Sequence, residues 1–141
     1  MIIGVGIDLV DIERIQKLLQ DQNSLFLSRL LTVKELEQLS KYNTIHRKSE
    51  WVAGRFAAKE ALFKALGTGV GGSPGMLDVE VLANETGRPI IKVSPLITKQ
   101  LKQNVTFHIS ITHTQVTAGA VVVIESNKIE NRVHDDLEAV H

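Results

Sequence analysis

The stretch 49–66, SEWVAGRFAAKEALFKAL, constrains this chain more than any other. Its alanine content favours helix, and Ser49 is placed to cap it. At about 3.6 residues per turn, Val52, Phe56 and Phe63 fall on one side, with Trp51, Ala58 and Leu62 roughly opposite. A helix apolar on two sides must be covered on two sides. Its charges therefore lie at the edges of packed surfaces. Glu60 lies close in angle to Phe56, and it stands four residues before Lys64. Taken alone, that pair predicts a surface salt bridge contributing roughly 0.3–0.5 kcal/mol.

What covers this helix is legible around it. Residues 2–9 read as a strand in which Val5, Ile7 and Leu9 face one side, and Gly4, Gly6 and Asp8 the other. The strand runs into a helix near 11–20, with Ile12, Ile15, Leu18 and Leu19 at helical spacing. The segment TVKELEQLS predicts a second helix, with Thr32 as N-cap and Glu35 closing a capping box. Strands are expected near 78–83 and 89–93, joined by the NETGR turn. Two more follow, VTFHISI and AGAVVVIE. Helices gathered early and antiparallel strands late predict an α+β domain. It should span 1–125, with 126–141 as a C-terminal extension of unassigned role, since its five apolar residues show no convincing period.

Composition narrows the function classes. The 141 residues suffice for one domain with a real core, and 43% hydrophobic with 23% charged residues describes a soluble globular chain. The sequence shows no membrane-spanning run and no secretory pattern, so the expectation is a cytoplasmic protein without a membrane role. The lack of cysteine excludes disulfides and Cys-ligated metals. A net charge of zero gives no support to broad nucleic-acid binding. Residues 46–64, however, hold five Lys/Arg against two acids, which suits an anionic small ligand.

Three stretches could carry chemistry. Asp8 sits in an apolar strand, where an unpaired charge is costly. Glu60 is the other acid in an apolar setting. Two such carboxylates brought together repel unless a proton or cation lies between them. Without cysteine, carboxylate ligands point to a hard cation, and Mg2+ suits one or two carboxylates plus phosphate oxygens and water. On this reading the space over Gly4 and Gly6 would hold a hydrated metal and a phosphate chain. Helix capping is the rival role for Asp8, although Asp11 is nearer the helix start. The loop Gly67-Thr68-Gly69-Val70-Gly71-Gly72 fits G-x-G-x-x-G, but it follows a helix and precedes Ser-Pro-Gly. That context rejects the dinucleotide fingerprint and leaves Gly67 as a helix C′ residue. In HISITHT, residues 108–114, alternation puts Val105, Phe107, Ile109, Ile111 and His113 on one face and His108, Ser110, Thr112 and Thr114 on the other.

Together GVGIDLVDIERI, GRFAAKEALFKALGTG and HISITHT resemble the small bacterial holo-acyl-carrier-protein synthases of the 4'-phosphopantetheinyl transferase family, over roughly residues 1–125. The resemblance implies that family's fold. It implies transfer of 4'-phosphopantetheine from coenzyme A to a serine of apo-acyl carrier protein in fatty acid biosynthesis, releasing adenosine 3',5'-bisphosphate. It also implies Mg2+ and a homotrimer with interfacial active sites. Carried over by motif, Asp8 and Glu60 match the metal ligands, and Arg55, Lys64, Gly67 and Thr68 match coenzyme A contacts. His113 matches an active-site histidine, with Ser110 to Thr112 lining the nucleotide end. Arg47 and Pro89 align more loosely with further coenzyme A contacts. Glu60, Lys64 and His113 are the expected catalytic groups. Arg14 matches the residue that grips the carrier's acidic helix, while DQNSLFLSR has fewer basic residues than relatives often carry there. Two other classes remain on the residues alone. One is another Mg2+-dependent phosphate-transfer or nucleotide-hydrolysing enzyme. The other is a non-catalytic module with a Glu60–Lys64 bridge.

Overall fold

The computed structural model describes residues 1–67 and 74–128. The expected extension therefore lies almost wholly outside the described residues, as does Thr68.

Strand β1 (Ile2–Asp11) leads directly into helix α1 (Ile12–Gln20), whose Ile12 and Ile15 are buried. Two short helices follow, α2 (Phe26–Leu30) and α3 (Val33–Leu39). The capping box read from the sequence is formed: Thr32 Oγ1 accepts from the Glu35 N–H, and the Glu35 carboxylate accepts from the Thr32 N–H. The central helix α4 (Ile45–Leu66) begins four residues before the expected start. Its cap is Thr44, which accepts from the Arg47 N–H. Ser49 instead lies buried inside the helix and donates to the Ile45 carbonyl. The helix stops at Gly67, whose φ of 76° is the left-handed conformation that glycine adopts at little cost.

After α4 come a 3-10 turn (Met76–Asp78) and a hairpin of β2 (Val79–Ala83) and β3 (Pro89–Val93). Helix α5 (Pro95–Leu101) precedes β4 (Val105–His113) and β5 (Thr117–Ser126). Neither α2 nor α5 was expected: each is too short to show a helical period. The sheet order β1-β5-β4 is antiparallel throughout.

Helix α4 packs on one face of this sheet, and it is enclosed much as its two-sided pattern requires. Trp51, Val52, Ala57, Ala58, Ala61, Leu62 and Phe63 are all buried. The contact with β1 is close. A Cβ on Gly4 would fall on the Ala65 carbonyl oxygen, and one on Gly6 on the Ala61 carbonyl oxygen. This corrects one expectation. The space over Gly4 and Gly6 is filled by the α4 backbone and holds no room for a metal and a phosphate chain.

The other face of the sheet is open. Val5, Ile7 and Leu9 are 60%, 65% and 72% exposed. Register sets their neighbours, because residues opposite each other share a face. Ile7 lies opposite Val121, and Val121 opposite Ser110; Leu9 lies opposite Gly119, and Gly119 opposite Thr112.

Candidate active site

Two groups of side chains stand out, one at each half of α4. At the C-terminal half, Asp8 follows Gly4 and Gly6 on the α4 face of β1. Just past the glycine contact the strand can carry a side chain again, and that side chain is a carboxylate. Lys64 Nζ donates to Asp8 Oδ1 at 2.9 Å and to the Ile7 carbonyl at 3.0 Å. Asp8 is largely covered while the Lys64 side chain is half exposed. The Glu60–Lys64 bridge expected from spacing is not among the ion pairs of the described residues. Nor does Asp8 cap α1, whose N-cap position belongs to Asp11.

Glu60 is partly buried and has no ion-pair partner among the described residues. Burial raises its pKa, and the Asp8 charge raises it further; Lys64 and Arg14 pull it down without cancelling the rise. Two carboxylates that repel across a half-covered gap, with one lysine shared unevenly between them, form a donor set that fits a hard divalent cation. Gly67 caps the helix beside this group, its N–H donating to the Lys64 carbonyl.

The second group lines a cleft of about 290 Å3 over the first half of α4. Arg47, Arg55, Pro89 and His113 all contribute to its wall. Arg55 is 7% exposed. Its guanidinium lies 4.1 Å from the Trp51 ring centroid, and among the described residues only Nε is hydrogen-bonded, donating to the Val81 carbonyl. Burial lowers its pKa to about 10, with Glu35 and Tyr42 opposing, so it stays cationic at neutral pH. Among the described residues no acid pairs with it, and its remaining N–H donors are free for an anion. Arg47 stacks on Tyr42 at 5.8 Å in the same cleft.

Ser110 and Thr112 do not join this cleft within one chain. They lie on the open face of the sheet, beside the exposed stripe of β1. Arg14 is exposed on α1 and lines a separate cavity of about 540 Å3 with Lys17, His46 and Gln115. The acids Asp11 and Glu13 share that wall, and Lys17 is 3.6 Å from Glu13.

Sequence reasoning missed three participants. Glu50 touches both His46 and His113. The sequence pattern places Trp51 only in the core, yet it carries the Arg55 stack. Lys59 forms a fully buried pair with Glu35 at 2.7 Å, and also donates to the Leu30 and Met76 carbonyls. One signal was available: Lys59 stands two turns after Val52, in the middle of an apolar side where an unpaired charge would not be tolerated.

A family model for the 4'-phosphopantetheinyl transferase superfamily matches residues 4–123. The chain belongs to that superfamily. Within it, the holo-(acyl-carrier-protein) synthase of Listeria welshimeri is 46% identical over 125 residues, covering 89% of this chain and 99% of its own. That of Halalkalibacterium halodurans is 42% identical over 125 residues, covering 89% and 97%. Among solved structures, the Bacillus anthracis holo-(acyl-carrier-protein) synthase in complex with CoA (3',5'-ADP) superposes with a TM-score of 0.77 at 40% identity. It covers 90% of this chain and 99% of that one. The Helicobacter pylori synthase in complex with coenzyme A gives a TM-score of 0.73 at 33% identity, covering 86% and 99%. The α+β architecture expected from the element order is the architecture of these transferases.

Proposed function

We propose that this transferase moves 4'-phosphopantetheine from coenzyme A to a serine of apo-acyl carrier protein, as a holo-acyl-carrier-protein synthase. The observation that carries the reading is Arg55: a buried guanidinium with no ion-pair partner among the described residues, facing a cleft, in a chain whose relatives include synthases solved with coenzyme A. Arg55 and Arg47 bind phosphate groups of coenzyme A, and Pro89 and His113 complete that wall. Asp8 and Glu60 would hold Mg2+, which would supply neutralisation of pyrophosphate charge. Lys64, already tied to Asp8, presents its remaining donor capacity to the charge that develops as the carrier serine hydroxyl attacks the β-phosphate and adenosine 3',5'-bisphosphate leaves. Gly67 ends α4 beside Lys64, and Thr68, next in the GTG motif, is the further coenzyme A contact.

The working unit is a homotrimer. Val5, Ile7 and Leu9 form an apolar stripe on the open face of the sheet that a second copy would cover, and large exposed apolar patches mark interfaces. Ser110 and Thr112 share that face, so in the assembly they would line the nucleotide end of a site built from two copies. Arg14 meets the acidic helix of the carrier. The enzyme works in the cytoplasm, with its two substrates.

The test is to incubate the protein with apo-carrier, coenzyme A and Mg2+ and to weigh the carrier. A mass gain of one phosphopantetheine supports the function. An unchanged carrier, with coenzyme A hydrolysed instead, would transfer the site to the phosphate-hydrolysing alternative. Light scattering should give three times the 15.6 kDa chain mass.

A further inference from the structure

Glu50 has no part in the chemistry above, yet among the described residues it is the one carboxylate in the wall of the Arg55 cleft. Its two oxygens are divided between two histidines. Oε2 lies 2.9 Å from His113 Nδ1, and Oε1 lies 3.2 Å from His46 Nε2. The Glu50 side chain is 15% exposed, whereas both histidines are about half exposed. His46 is four residues before Glu50 on α4, and His113 ends β4, so the carboxylate ties the helix to the strand end.

The contacts fix the ring chemistry of His113. Its Nδ1 also lies 3.1 Å from the Thr114 carbonyl oxygen. The Thr114 carbonyl can only accept, so Nδ1 must carry a proton and donate to it, and the Glu50 carboxylate 2.9 Å away favours the proton on that same nitrogen. That is the opposite of the default, because an isolated neutral imidazole prefers its proton on Nε2. Nε2 of His113 then has no partner among the described residues and is left for whatever occupies the cleft that Arg47 and Arg55 flank. His46 Nε2 lies 3.2 Å from the other Glu50 oxygen, on the side away from His113.

We infer that Glu50 is a positioning residue, which holds His113 with Nδ1–H inward and Nε2 toward the ligand in the cleft. Its activity consequence rests on the transferase reading, but its geometric claim does not. The groups facing the pair are Arg47, Arg55 and Tyr42 in the cleft, His46 on α4 and the Thr114 carbonyl beyond β4.

Nitrogen-15 NMR of the histidine-labelled full chain tests it, with His113 assigned by the signal lost in His113→Ala. In the wild type, at a pH where the ring is neutral, Nδ1 should carry the proton and Nε2 should show the shift of a bare nitrogen. Glu50→Ala should move His113 toward the Nε2–H form, and Glu50→Gln, which still offers an accepting oxygen, should keep the wild-type pattern. Glu50→Ala should also lower kcat/KM for coenzyme A about tenfold. Glu50→Gln should restore most of the loss, and Glu50→Ala added to His113→Ala should cost less than about threefold more. An Nε2–H ring in the wild type, or an unchanged ring in Glu50→Ala, would overturn the proposal and leave Thr114 as the only anchor. Additive losses in the double variant would overturn it as well. If the wild type transfers nothing, the functional proposal fails, while the ring spectra still decide this one.

Discussion

Lys64 pairs with Asp8 on β1, at 2.9 Å, and not with Glu60 one turn back on its own helix. A local pair would be a surface ornament of α4. The pair observed joins two elements, and it leaves Glu60 repelled by Asp8 with only partial relief from Lys64 and Arg14. The acid pair is thus electrostatically unsatisfied in the polypeptide itself.

That imbalance has a definite pH signature. The raised pKa means that folded Glu60 holds its proton more tightly than it does in the unfolded chain, whose ordinary value is 4.5. Ionised Glu60 therefore costs stability, fully above its folded pKa, and the cost disappears as pH falls below the unfolded value. In metal-free buffer, Glu60→Gln should raise Tm at pH 7 by about one to a few degrees, with the gain shrinking toward zero near pH 4. Transfer should fall on the order of 100-fold or more. Added Mg2+ should stabilise the wild type and not the variant, as thermal melts would show. A lower Tm for Glu60→Gln at pH 7 would contradict the repulsion.

Gly6→Ala should be among the most damaging single-methyl changes in the protein. Its new Cβ would collide with the Ala61 carbonyl oxygen, a backbone atom that cannot rotate away. The helix must shift off β1, at a cost of about 1–3 kcal/mol or more. Because Asp8 is two residues further along the same face, transfer should suffer as well as stability. Urea unfolding of Gly6→Ala beside Gly87→Ala would separate steric from conformational effects, since nothing lies near a Cβ on Gly87.

Lys59→Met should destabilise the fold by about 3–5 kcal/mol, because it strands Glu35 as a buried unpaired charge. The buried carboxylate also accepts from the backbone N–H groups of Thr32 and Val81. Adding Glu35→Leu should therefore not restore stability: it leaves those two donors without a partner. Recovery of the wild-type midpoint in the double variant, measured by denaturant titration, would show that those two bonds matter little.

Arg14→Glu should raise KM for the carrier protein about tenfold or more while leaving KM for coenzyme A nearly unchanged. Arg14 is exposed on α1, well outside the wall of the Arg55 cleft. Exposed charges mainly govern association, so the wild-type KM for the carrier should also climb with salt. Equal changes in both KM values would remove Arg14 from docking.

The sequence by itself determined the central helix and its two covered sides, the glycine stop at Gly67, the capping box of Thr32 and Glu35, and the hairpin around NETGR. Each depends on periodicity or on groups within a few residues, where chain geometry alone fixes what can meet. Motif order also sufficed to indicate the family. The N-terminus of α4 was misplaced because Ser49 and Thr44 are both competent caps, and only burial of Ser49 rules it out. Pairing across the fold was beyond reach. Local spacing offered Lys64 only Glu60, and the close approach of α4 to Gly4 and Gly6 brought Asp8 within its reach instead. The same approach closed the space where a phosphate chain was expected. Lys59 with Glu35, and Glu50 with His113, join residues 24 and 63 positions apart. Side chains so distant in sequence meet only because the core packs the elements between them. Charge pairing depends on distance in space, and only the tertiary structure supplies that.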